Sequence, residues 1–300
     1  RWIDMTSGIF VTNAGHSNPY INEAIKNQVD SDLTFAYQYN TDVRNKFVEK
    51  LLEISPSHFD KVVLLNSGSE ATDAAYRLIK TWGKKNNKKY IVVFTGNYHG
   101  HVLGSDLIGG EPDSADCYVK DYEIHSIPFP KNNEELNILR DLPPLDEIAC
   151  FFLETYQGWG AWMYPQKYID ELYQLSRDNN ILFCFDEVQS GFYRMGELYG
   201  YMTYGDYKPD IITLGKGLTS SLPLSALLST KEIIDLEPSI NLSGSQAGNA
   251  LCCAAGLANL DYLTDDLFQS NLKKKIKLFE KLNKELEQEE GVEVVNVKGM

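Results

Sequence analysis

From about residue 40 to residue 230, short and almost continuously apolar runs alternate with stretches that are apolar only every third or fourth residue. The runs are Val62–Leu65, Tyr90–Phe94, Ile148–Leu153, Ile181–Phe185, Asp210–Leu214 and Leu224–Leu228. A strand that is apolar on both faces has to be covered on both, and the helical stretches between the runs can supply the covers. The pattern predicts an α/β fold with a mostly parallel central sheet and helices on both faces.

The helices have recognisable starts. Asn18-Pro19 opens one with Ile21, Ala24, Ile25 and Val29 on one face, and proline is tolerated in a first turn. Thr41 or Asp42 caps a second, with Val43, Phe47, Val48, Leu51 and Leu52 as its stripe. Asn66-Ser67-Gly68-Ser69-Glu70 leads into a third bearing Ala71, Ala74, Ala75, Leu78, Ile79 and Trp82. One long helical tract is predicted to fill most of 248–289. Arg1–Asp4 and Val292–Val295 read as strand-like, and 104–147 as a less regular surface excursion.

Composition excludes some classes. A net charge of −14 offers no basic face for nucleic acid. No apolar run is long enough to cross a bilayer, and no signal peptide is visible. The five cysteines (117, 150, 184, 252 and 253) form no C-x-x-C pair, and Cys150 and Cys184 lie inside apolar runs. Buried, reduced thiols and a cytoplasmic location are expected.

In an open parallel sheet, ligands bind beyond the carboxyl ends of the strands. Five predicted strand ends here carry polar groups: Ser67-Gly68-Ser69, Gly96–His101, Glu154–Gly158, Asp186–Gln189 and Gly215-Lys216. Lys216 stands between two glycines with no neighbouring side chain to crowd its amine. A lone amine and the Asp186 carboxylate at two strand ends suggest Schiff-base chemistry with a carboxylate-tuned ring. Gly68-Ser69 opens a helix whose first N–H groups lack intrahelical partners, which suits a phosphate. Each feature has an ordinary reading when taken singly. Lys216 could be a solvated turn lysine, Gly68-Ser69 a capped helix start, Asp186 a surface carboxylate, and Tyr98 core packing. Their coincidence at one sheet edge favours the chemical reading. Asp186-Glu187 could also be a magnesium pair of a nucleotide hydrolase. That requires G-x-x-x-x-G-K-[ST], but Gly217 follows Lys216 and Asp210 replaces the first glycine. His99 and His101 find no further ligands at metal spacing, so no metal is expected.

Together these residues resemble the class III pyridoxal-phosphate aminotransferases of the ornithine, acetylornithine and 4-aminobutyrate type. The resemblance runs from Ser7-Gly8-Ile9 and Gly15–Pro19 through Asn66–Ala71, Tyr98-His99-Gly100, Glu154, Gln157-Gly158, Asp186–Gly191, Arg194, Gly196 and Gly215–Gly217 to Gly248-Asn249. It implies fold type I and pyridoxal 5'-phosphate held by Ser67, Gly68, Ser69, Tyr98, His99, Asp186, Val188, Gln189, Lys216 and Ser245. In that scheme Lys216 carries the internal aldimine and shuttles the proton, and Asp186 keeps the pyridine nitrogen protonated. Gln189 bonds the ring hydroxyl, Val188 and Tyr98 sandwich the ring, and Gly68 and Ser69 hold the phosphate. Ser245 would reach the phosphate of a neighbouring subunit, which implies a homodimer with shared sites.

The implied reaction moves an amino group between an amino donor and a keto acid or aldehyde. An aminomutase, racemase or phospholyase on the same scaffold, or a non-catalytic assembly domain, are the alternatives. Glu154 matches a family glutamate that can gate a substrate-binding arginine. Tyr37 and Trp159, with Phe35, Tyr39 and Trp162, are candidates for the substrate pocket or for core packing. Family members are longer at both ends, so truncation is expected and the arginine is not assigned. Thr72 replaces a family asparagine and Ala250 a family proline. The expected division is an N-terminal segment (1–40), a large cofactor-binding domain (41–250), and a linking helix with the start of an incomplete small domain (251–300).

Overall fold

The computed structural model describes residues 2–37, 39–109, 123–132, 139, 141–292 and 299. Among them one seven-stranded sheet organises the chain. Its strands are β1 (Lys61–Leu65), β2 (Tyr90–Phe94), β3 (Ile124–Ile127), β4 (Ile148–Glu154), β7 (Leu182–Asp186), β8 (Ile211–Leu214) and β9 (Ser225–Ser229). They lie in the order β1-β9-β8-β7-β4-β2-β3. A separate two-stranded ribbon is formed by β5 (Tyr156–Gln157) and β6 (Trp162–Met163).

Every pairing in the large sheet is parallel except those of β9, which runs against both β1 and β8. A parallel return needs a crossover of about a dozen residues or more, usually a helix. The connection 215–224 holds only a single tight turn at Lys216–Leu218, so the chain reverses there. β3 is a strand that the apolar pattern does not announce, because His125 and Ser126 separate its two isoleucines.

Successive strand residues serve opposite faces. Phe151, Leu153, Phe183, Phe185, Ile212 and Leu228 join one core with Phe47, Leu51, Tyr168, Leu172 and Leu260. These helical residues come from α3 (Asp42–Ile54), α6 (Gln166–Asp178) and α8 (Ala250–Thr264). Cys150, Phe152, Leu182, Cys184, Ile211 and Leu227 join a second core on the other face, built on Ala71, Ala75, Leu78 and Ile79 of α4 (Gly68–Lys85). Asn18 caps α2 (Pro19–Asp30) and Thr41 caps α3, as their sequences predict, while α1 (Ser7–Phe10) and α7 (Lys231–Ile234) are single short turns.

Three expectations need correction or placement. Residues 2–4 form no strand; Trp2 and Ile3 are 97% and 87% exposed and have no ladder to join. The long C-terminal tract is two helices, α8 and α9 (Asp266–Leu286). Asp265 is extended (φ −66°, ψ 138°), and its carboxylate caps α9 by accepting from the N–H groups of Leu267 and Phe268. Of the strand expected at 292–295, residues 293–295 lie outside the described residues, as do Cys117 and much of 104–147. Within that excursion the described parts form the short helix α5 (Leu103–Leu107) and β3. Cys150, Cys184, Cys252 and Cys253 are free thiols, and among the described residues no helix is long and apolar enough to cross a membrane.

Candidate active site

Strand register places the first polar groups in a row. Glu154 stands opposite Asp186, and Asp186 opposite Thr213, at the carboxyl ends of β4, β7 and β8. By the alternation described above, all three share the face covered by α4. That helix begins at the same sheet edge. Ser67 caps it: its Oγ accepts the Glu70 N–H at 3.2 Å, while Glu70 Oε2 accepts the Ser67 N–H at 3.0 Å. The helix start is pressed against the 186–189 turn. A Cβ on Gly68 would lie 2.7 Å from Val188 Cγ1, and one on Gly215 3.3 Å from the same atom. Between these elements lies a cavity of about 130 Å³ lined by Gly68, Ser69, Tyr98, His99, Gly100, Glu154, Tyr156, Asp186, Val188, Gln189, Ser190 and Lys216.

Asp186 is buried and held at both oxygens. Oδ1 accepts from the Val188 N–H and from Thr213 Oγ1, each at 3.0 Å. Oδ2 meets His99 Nδ1 at 2.7 Å. A carboxylate only accepts, so Nδ1 is the protonated ring nitrogen. The imidazole packs edge-on against Phe152, with centroids 4.7 Å apart.

Lys216 has a left-handed backbone (φ +40°), an uncommon state for a residue with a Cβ. Its Nζ donates to Gln189 Oε1 at 2.9 Å. Burial pushes the amine's pKa down, and the Asp186 and Glu154 carboxylates oppose that only in part. Glu154 accepts from the Tyr98 and Gly158 N–H groups at 3.1 and 3.3 Å. Burial, and then the nearby Asp186 charge, push its carboxyl up to about 8.

Behind the cavity, fully buried Glu187 accepts from Thr155 Oγ1, Ser190 Oγ and the N–H groups of Gly200 and Tyr201. Burial raises its pKa despite those four donors. It ties the end of β4 to the turns after β7.

Of the residues singled out from sequence, Gly68, Ser69, Tyr98, His99, Glu154, Asp186, Val188, Gln189 and Lys216 converge on the cavity. Ser67 is next door as the helix cap. Ser245 is exposed in the loop before α8 and lines no part of this cavity. Trp159 is 72% exposed, and Tyr37 lines a separate depression beside β1 and Arg44. Sequence reasoning gave no role to Thr213, the one polar residue within β8, and placed Tyr156, Ser190 and Gly100 in motifs without assigning them one. Thr213 could have been found, since a polar residue inside a buried strand needs a partner.

The geometry gathers polar groups around one cavity, and comparison places the chain in a family. A model of the family described as aminotransferase class-III matches residues 1–300. The chain belongs to the class-III aminotransferases. It is 31% identical over 287 residues to isoleucine 2-epimerase of Lentilactobacillus buchneri, covering 88% of this chain and 63% of that protein. It is 32% identical to acetylornithine aminotransferase of Caldanaerobacter subterraneus subsp. tengcongensis, covering 93% of this chain and 70% of that one. The chain thus spans about two thirds of the length of the curated relatives it matches. The fold matches that of taurine:2-oxoglutarate aminotransferase from Bifidobacterium kashiwanohense, a structure in complex with PLP and glutamate. The TM-score is 0.89 at 23% identity, over 100% of this chain and 72% of that one.

Proposed function

We propose that this class-III aminotransferase binds pyridoxal 5'-phosphate in the cavity at the ends of β4, β7 and β8. Its reaction, on this reading, transfers an amino group between an amino donor and a keto acid or aldehyde. The observation that carries the reading is convergence: Lys216, Asp186, Gln189 and the α4 N-terminus line one small cavity.

The residues fit such a cofactor. The N–H groups of Gly68 and Ser69 precede the first amide that returns to the helix cap, so they are available to an anion, and the helix dipole favours one. Gly68 is a cradle that a Cβ would close. The cofactor, when bound, supplies a conjugated ring that accepts the electron pair released at the substrate carbon. The chain supplies the rest. Burial keeps a larger share of Lys216 unprotonated and nucleophilic than an exposed lysine would have. Asp186, locked at both oxygens, would hold a proton on a ring nitrogen. His99 would orient Asp186, while Val188 and Tyr98 would flank the ring and Gln189 would meet its hydroxyl. Glu154, predominantly protonated below pH 8, would let a negatively charged substrate approach Asp186 with one fewer repelling charge.

Residues 41–250 are read as the cofactor-binding unit, with 1–40 at its edge and 251–300 leading away. Ser245 and the depression along edge strand β1 are read as facing a second copy, in a homodimer with shared sites. The free thiols suit a reducing compartment such as the cytoplasm.

Lys216→Ala is expected to abolish the visible absorbance of bound pyridoxal phosphate and turnover together; a variant retaining both defeats the assignment. Epimerisation is a second reading, favoured by the 31% identity to an isoleucine 2-epimerase. Release of a keto product supports transfer, whereas an amino acid recovered with inverted configuration supports epimerisation.

A further inference from the structure

Tyr156 lies in the cavity wall. Its direction follows from the ribbon β5–β6, because neighbouring strand residues point to opposite sides. Gln157 points away from the cavity, and its Nε2 donates to the Thr95 carbonyl at 2.9 Å. Gly96 (φ +82°) makes room for that amide; a Cβ there would lie 2.5 Å from Nε2. With Gln157 pinned, Tyr156 turns inward, and its Oη accepts from Gln189 Nε2 at 2.9 Å.

The other end of the same amide accepts from Lys216 Nζ. Gly158 bounds a third side, where a Cβ would come within 2.9 Å of Gln189 Nε2. An ammonium is a donor only, so it turns the Gln189 oxygen toward Lys216 and the NH2 toward Tyr156. Burial keeps the phenol protonated, so Tyr156 can accept from Gln189 and still hold one O–H to donate. Phenylalanine would fill the same space without making this contact.

We propose that Tyr156 is a positioning residue: it anchors the far end of Gln189 and so fixes the acceptor that Lys216 faces. The same anchor would fix the amide against the ring hydroxyl of bound pyridoxal phosphate, and that half of the inference rests on the cofactor reading above. The Lys216 half does not.

Tyr156→Phe removes only the hydroxyl. The first measurement uses ligand-free protein: acetylation of Lys216 by acetic anhydride, followed by peptide mass spectrometry across pH. The hydrogen bond to Gln189 stabilises the ammonium, so its loosening is expected to move the Lys216 midpoint downward. The second is pyridoxal-phosphate affinity, read by absorbance and fluorescence and expected to weaken about 3- to 10-fold, as for one lost hydrogen bond. Both effects are expected to vanish in a Gln189→Met background, where Tyr156 has no amide to hold. An unchanged midpoint, or an equal shift in the Gln189→Met background, overturns the proposal. If the wild-type protein fails to bind pyridoxal phosphate, the cofactor reading falls, while the Lys216 titration still decides the role of Tyr156.

Discussion

Asp186 and His99 are joined at 2.7 Å beneath the cavity, with Oδ2 accepting the Nδ1–H of a buried ring. Thr213 and the Val188 amide occupy the other oxygen. The carboxylate is therefore oriented before any ligand arrives. Preorganised groups of this kind need not pay for reorientation at the moment of reaction.

Thr213→Val tests that locking. The side chain is fully buried and keeps its shape, so only the hydroxyl is lost. A hydrogen bond to a charged group contributes about 1.5–3 kcal/mol. Urea unfolding is expected to show a loss of that size, and pyridoxal-phosphate binding to weaken in parallel. An unchanged midpoint would mean that Oγ1 does not hold Asp186.

Gly68→Ala places a Cβ 2.7 Å from Val188 Cγ1 at the entrance of α4. Overpacking of this kind costs about 1–3 kcal/mol. Lower stability and weaker cofactor binding are expected together. Val188→Ala added to Gly68→Ala should recover part of the stability, because it removes the methyl that the new Cβ meets; no recovery would place the strain elsewhere.

Glu154 makes stability depend on pH. Its folded-state pKa, about 8, lies above its unfolded value of 4.5. Between those values the folded state binds the proton that the unfolded state has released, so stability falls as pH rises. Glu154→Gln removes the titration. Thermal unfolding of the wild type should lose more stability than this variant between pH 5 and 8; parallel profiles would refute the buried, protonated carboxyl.

Glu187→Gln replaces one acceptor oxygen with an NH2 facing donors. Oε1 serves Thr155 and Tyr201, and Oε2 serves Ser190 and Gly200, so either orientation of the amide strands a backbone N–H. A loss of about 2 kcal/mol or more is expected in urea unfolding. A stability gain would show that charge burial outweighs the four bonds.

Much of this was legible in the linear order. The apolar runs predicted both faces of the sheet as covered, and Phe151/Leu153 against Cys150/Phe152 on β4 show why: alternate residues enter different cores. The Asn66–Glu70 turn marked the start of α4, and the glycines around Lys216 marked an amine with no neighbouring side chain to crowd it. These are local properties, set by periodicity, capping and φ. The family resemblance supplied the roles proposed for the residues of the cavity. It also pointed to Ser245, which in a single chain faces outward.

What tertiary structure alone decided was register and orientation. Pairing across β4, β7 and β8 put Glu154, Asp186 and Thr213 in one row, and a shift of one residue would have turned Asp186 to the opposite face. The reversal of β9 and the break at Asp265 were hidden because a connection's direction depends on what packs against it. The inward turn of Tyr156 is set by Gln157 docking on Thr95, a partner more than fifty residues away in the chain. Sequence determined which groups could do the chemistry; packing and hydrogen bonding over long separations determined which of them meet.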